Sequence, residues 1–302
     1  MSRIFRLACI SAAIALSASA RAGDFMRVKE DDSSAHLQTA ITHYVKGDAK
    51  VDLVGAIHIA DKKYYDKLNA LFKNYDEVLF EMVGGEHMGR AAVKPAPVDE
   101  PPAQAGAVVK KGKDLSALRK IYDMVAGFLN LTGQAERIDY TAKNFVHADL
   151  TYAEFNRLQE QRGESLIGFA LKAAESAKDS KAAEAAEPDP VKLLAAVLAG
   201  NSNLVKLQIV HTLGHGDDQI AAFAGQSVII SDRNKHCVAV MNRELAAGHK
   251  HLAIFYGAAH FPDMEKRLTA EGFKRVKQEW LTAWDIPKPK PQPAVETRQD
   301  AL

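Results

Sequence analysis

The sequence predicts an α/β fold in which the two ends of the chain build one mixed sheet, with a helical insertion between them. Three observations predict it. Strand-like runs at 51–54 and 77–83 flank a segment with Tyr65, Leu68 and Phe72 at helical spacing, which is a β-α-β unit with parallel strands. Near the other end, an apolar run at 252–256, a helical pattern at 263–271 and a strand region at 273–284 repeat that alternation. Between them, helical patterns dominate residues 114–223.

Composition agrees with a large soluble core. The chain has 302 residues, 47% hydrophobic and 25% charged, with 11 Pro and 19 Gly, which rules out a wholly disordered or collagen-like chain. Lys and Arg number 39 against 38 Asp and Glu, so no global field favours nucleic acid or an anionic membrane. Two cysteines exclude a disulfide scaffold and a four-cysteine zinc site.

Residues 1–22 read as a signal peptide. Arg3 and Arg6 precede an apolar run at 7–16, and Ala18-Ser19-Ala20 and Ala20-Arg21-Ala22 offer small-x-small cleavage sites. The run is too short for a bilayer span, so no stable membrane span is expected after cleavage and the protein is expected to be secreted or periplasmic. Losing Arg3, Arg6 and Arg21 tips the balance slightly acidic, and Cys237 is left as a lone thiol without an internal disulfide partner.

A single domain is expected over 23–287. Residues 37–45 read as a strand and Lys46-Gly47-Asp48-Ala49-Lys50 as a turn into the strand at 51–54. A helix follows at 61–74, then the strand at 77–83. The Gly/Pro/Ala-rich stretch 84–113 reads as a flexible loop. A helix is expected at 114–131, a strand at 138–147, and a long helix opened by a Thr151/Glu154 capping box. Residues 171–187 suit an exposed helix end broken by Pro188 and Pro190, with further helices around 191–199 and 203–223. A short strand is expected at 227–230 and a helix capped by Asp232 to about 247. From Pro287 the chain reads as a Pro-rich disordered tail, 288–302.

A paired motif carries the chemistry. Gly55-Ala56-Ile57-His58 with Asp61, and Gly257-Ala258-Ala259-His260 with Asp263, both read strand, G-A-x-H-x-x-D, helix. Reactive groups in open α/β sheets collect at the carboxyl ends of strands, so two halves joined in parallel bring His58 and His260 together. Each Asp can cap the helix leading away. Glu81 ends the strand between them. Two imidazoles and a carboxylate are a standard divalent-metal shell, and a metal there acidifies bound water. Glu81 is either a third ligand or the general base.

These segments, with Asp232-Arg233-Asn234, Tyr256 to His260 and Val146-His147-Ala148-Asp149-Leu150, resemble the TraB/GumN/Tiki superfamily. The resemblance covers most of 35–280 and is weak at 84–136 and 171–200. It implies an EreA/ChaN-like fold and, for Tiki members, a metalloprotease using manganese or cobalt, with zinc also compatible with the donors. The implied metal residues are His58, Glu81 and His260. Arg233 matches a helix-opening arginine that either stabilises a substrate oxyanion or forms a structural salt bridge.

Weaker constellations remain. His211 and His215 share a helical face but lack the glutamate of a zinc peptidase. His147 and Asp149 either support the site or, for Asp149, cap the next helix. His249 and His251 read as solvated, and Lys110, Lys111 and Lys113 as solubilising. No nucleophile elbow or phosphate loop occurs. The expectation is a secreted metal-dependent hydrolase acting on a peptide or protein substrate. The alternatives are a non-catalytic peptide- or haem/iron-binding protein of the same fold, and an esterase for a small cyclic ester.

Overall fold

A computed structural model describes residues 25–90, 123–164, 190–213 and 227–288. The expected leader, most of the 84–113 loop, the 171–187 run, His215 and the tail beyond Lys288 lie outside the described residues.

β1 (Met26–Glu30) turns into β2 (Ser34–Lys46), and β3 (Ala49–Ala56) returns antiparallel to it. Gly47 sits at φ 60°, the left-handed region this tight hairpin needs. β2 pairs β1 with its first half and β3 with its second, while β9 (Lys274–Pro287) runs antiparallel along its other edge. Lys288 donates to Glu30 at 2.8 Å and to the carbonyl of Asp31, so the chain is still tied down where the tail was expected to start.

Beyond β3 the pairing becomes parallel. β8 (His251–Gly257) lies beside β3, β5 (Glu77–Phe80) beside β8, and β7 (Phe145–His147) beside β5. The mixed sheet drawn from both halves of the chain is present. β8 inserts between β3 and β5, so the strands of the first β-α-β unit are parallel without being neighbours. The middle of the chain is not helical alone, because it supplies β7 and also β6 (Thr132–Gly133), which pairs the short β4 (Ile59–Ala60).

Helices cover both faces of the parallel strands. Val54, Val78, Phe80 and Phe255 pack with Tyr64, Tyr65, Leu68 and Phe72 of α1 (Lys62–Phe72). Leu53, Leu79, Ile254 and Tyr256 face the opposite layer. There they meet Cys237 and Met241 of α6 (Arg233–Ala246) and Met264 and Leu268 of α7 (Phe261–Ala270). Burial on both faces explains why 252–256 and 78–80 are continuous apolar runs rather than alternating ones. Each large side chain buried there contributes roughly 1.5–3 kcal/mol. Cys237 is a free, fully buried thiol.

Further helices among the described residues include α2 (Gln134–Arg137), α3 (Tyr152–Arg162), α4 (Pro190–Leu198) and α5 (Ser202–Leu213), and residues 123–128 of the expected 114–131 helix are helical. The Thr151/Glu154 capping box forms at α3, and Gly163 closes that helix at φ 63°. Two expected strands fail. Of 138–147 only β7 is extended. Residues 227–230 read as a strand from an apolar Val-Ile-Ile run, but 228–232 form a π-helical turn that leads directly into α6. Short apolar runs do not separate strand from buried helix, and Val228 and Ile230 are buried against Leu150 and Phe155. No helix among the described residues is long and apolar enough to cross a membrane.

Candidate functional site

The carboxyl ends of the four parallel strands deliver the expected residues to one edge. His58 follows β3, His260 follows β8, Glu81 follows β5 and Asp149 follows β7. Ala56 pairs with Gly257 in register, which sets the two motif copies side by side. At the first copy, a Cβ on Gly55 would lie 3.1 Å from both the Ala40 carbonyl oxygen and Thr39 Cβ, so close strand packing explains the glycine.

Glu81 is the hub. Its Oε2 accepts from the Gly257 amide at 2.6 Å, and its Oε1 accepts from Arg233 Nη2 at 2.7 Å. His260 Nε2 stands 3.6 Å from the same Oε1. Burial opposes the charge on Glu81, yet Arg233, His260 and His58 together outweigh it and hold the carboxyl well below its usual range. His58 is thus within electrostatic reach. Arg233 also donates through Nε and Nη2 to Asp149 at 2.9 and 2.6 Å. Burial works against the guanidinium's charge, and the two carboxylates overcome that and raise its pKa. Tyr256 donates to the Ala148 carbonyl at 2.6 Å, fastening β8 to the β7 end.

Side-chain amides orient both imidazoles. Asn234 Nδ2 donates to the His260 carbonyl and to Asp263 Oδ2, which turns its Oδ1 toward His260 Nδ1 at 2.6 Å. An Nδ1–H donated to that oxygen fixes the ring with Nε2 turned to the Glu81 side. Gln134 Nε2 donates to the Tyr140 hydroxyl at 2.8 Å and its Oε1 meets His58 Nδ1 at 3.1 Å, so an amide oxygen faces Nδ1 in both rings. Sequence reasoning gave Asn234 and Gln134 no role. Asn234 stood in a quoted segment beside Arg233, whereas nothing in the sequence links Gln134 to His58.

This donor chemistry fits a divalent metal: two imidazoles, each met at Nδ1 by an amide oxygen, next to a carboxylate. His260 and Glu81 already face each other. His58 is exposed, and the three ligand atoms are not all mutually within 4.8 Å, so His58 would complete the set by moving inward. Among the described residues the trio that meets that spacing is Glu77, Glu244 and His249, at the other end of the strands.

Several expectations are corrected. Asp61 sits at the N-cap of α1, but its carboxylate accepts from the Asp285 amide at 2.7 Å rather than capping the helix. Asp263 lies inside the first turn of α7 and binds Asn234 and Arg267. Asp232 binds Arg162 instead of capping α6. Asp149 does not cap α3, a task taken by Thr151; it holds Arg233. His147 Nε2 meets the Met82 carbonyl at 2.7 Å. His211 meets Glu30 at 2.9 Å. His249 and His251 are not simply solvated, since Glu77, Glu244 and Asp52 face them.

Compared with known proteins, the chain matches no family model, no curated protein and no solved structure.

Proposed function

We propose that this protein is a secreted or periplasmic metal-dependent hydrolase acting on peptide bonds, with His58, Glu81 and His260 as its metal ligands. The observation that carries the metal assignment is that an amide oxygen meets Nδ1 of each histidine, Asn234 at His260 and Gln134 at His58, at adjacent strand ends beside Glu81. A divalent ion held there, manganese or cobalt by the motif resemblance or zinc by its donors, would supply Lewis-acid polarisation and an acidified water.

The chain's own residues have separable tasks. His260 is the fixed donor, 4% exposed, and His58 the adaptable one. Glu81 serves as a ligand rather than a general base, because a carboxylate held well below its usual range accepts a proton poorly near neutrality. Arg233 is a positioning residue. Its guanidinium is committed to Glu81 and Asp149 and keeps Glu81 ionised, so stabilising a substrate oxyanion would require it to give up one of those bonds. The motif resemblance supports peptide bonds as the substrate class, and the composition of residues 1–22 supports export.

That same commitment of Arg233 favours a second reading, a protein that binds metal, peptide or haem without turnover. Bound metal and cleavage of a peptide and ester panel should be measured in the wild type, His58→Ala and His260→Ala. The hydrolase reading expects metal and peptide cleavage in the wild type and loss of both in each variant. Undiminished metal and cleavage in both variants contradict it. A peptide bound but left uncut, or a Soret band, would establish the binding reading, and ester cleavage alone would move the substrate class.

A further inference from the structure

The amino ends of the same parallel strands hold a different group of charges. Glu77 opens β5, His249 precedes β8, and Glu244 lies in the last turn of α6. One donor atom from each lies within 4.8 Å of the other two. Glu77 is 6% exposed and Glu244 fully buried. Arg90 Nη2 bridges them, 2.9 Å from Glu77 Oε1 and 2.8 Å from Glu244 Oε2.

Two features go beyond an ordinary ion-pair cluster. Glu77 Oε2 is buried without a hydrogen-bond partner, an acceptor whose desolvation nothing offsets. Two buried carboxylates also share the Arg90 guanidinium, and His249 faces both of them.

We propose that Glu77, Glu244 and His249 form a second divalent-cation site, for a zinc-like ion, with Arg90 as the resident counter-ion that the metal displaces. Arg90 Nη2 already stands where a cation bridging the two carboxylates belongs. His249 Nδ1 is 3.4 Å from Glu77 Oε1, close to the separation of two donors around one ion with bonds of about 2.0–2.1 Å. The mixed imidazole and carboxylate donors suit zinc better than calcium or magnesium. The Arg90 backbone is held by Phe145 and His147, while its side chain is 36% exposed, so displacement needs the guanidinium alone to swing toward solvent.

The test is zinc titration of chelator-stripped protein lacking the carboxyl-edge histidines (His58→Ala with His260→Ala), so failure here is separable from failure of the proposed hydrolase site. That protein should still bind zinc. Adding His249→Ala should weaken binding by at least about tenfold, and Arg90→Gln should tighten it by removing the competing cation. His249 is part-exposed, so its variant should fold, and circular dichroism checks this. No zinc binding in the double variant, or binding indifferent to both His249→Ala and Glu244→Gln, would overturn the proposal and leave an ion-pair cluster.

Discussion

The two copies of the Gly-Ala-x-His-x-x-Asp motif lie on neighbouring parallel strands and are built differently. In the second copy, a short 3-10 turn, Ala258–His260, runs straight into α7 and buries His260 against Asn234 and Glu81. In the first copy, the chain continues through the two-residue β4 before α1 begins, and His58 is exposed. Asp263 ties the second copy to Asn234 and Arg267, whereas Asp61 ties the first to the β9 backbone. Identical residue types thus yield a buried histidine and an exposed one, and the difference comes from what each strand end meets rather than from the motif.

The largest effect should come from the residue on which the buried copy depends. Arg233→Met leaves Glu81 and Asp149 buried without their counter-charge and should cost roughly 3–5 kcal/mol in urea denaturation. The comparison itself is tested next. His260→Ala removes a buried hydrogen-bonded ring and should cost roughly 1–3 kcal/mol, while His58→Ala should stay within about 0.5 kcal/mol. Equal losses would mean that the two copies are structurally equivalent.

The glycines reverse the asymmetry. Gly55→Ala places a methyl 3.1 Å from backbone and side-chain atoms of β2 and should cost about 1–3 kcal/mol by overpacking. At Gly257 the nearest atom, Glu81 Oε2, is at ordinary contact distance, 3.4 Å, so Gly257→Ala should lower the melting temperature less. A last test concerns proton linkage, read on the acid side. The folded pKa of Glu81 is depressed, so its contribution is fully present above the ordinary carboxylate value of 4.5 and is lost as pH falls through the lower folded value. In chelator, Glu81→Gln should flatten that acid limb of the melting profile.

Much of this arrangement was legible in the sequence because its signals are local. The strand–motif–helix succession placed His58, Glu81 and His260 at strand ends, and Thr151-x-x-Glu154 announced the start of α3. What stayed hidden depends on contacts between distant segments. Arg233 meets Asp149 across 84 residues and Gln134 meets His58 across 76, with no pattern in either neighbourhood to connect them. His249 and His251 read as solvated because the carboxylates that face them come from β3, β5 and α6. Asp61 and Asp263 invited the same capping role, since the motif does not record that β9 offers an amide to one and Asn234 a donor to the other.

The central claim is that the carboxyl ends of β3, β8 and β5 form a metal site completed by His58. Anomalous diffraction from crystals soaked in zinc or manganese tests it most directly. The account predicts an ion bonded to His260 Nε2 and Glu81 at about 2.0–2.2 Å, with the His58 ring drawn inward to join them. Saturating metal with no ion at that edge, whether or not the amino-end cluster is filled, would contradict it.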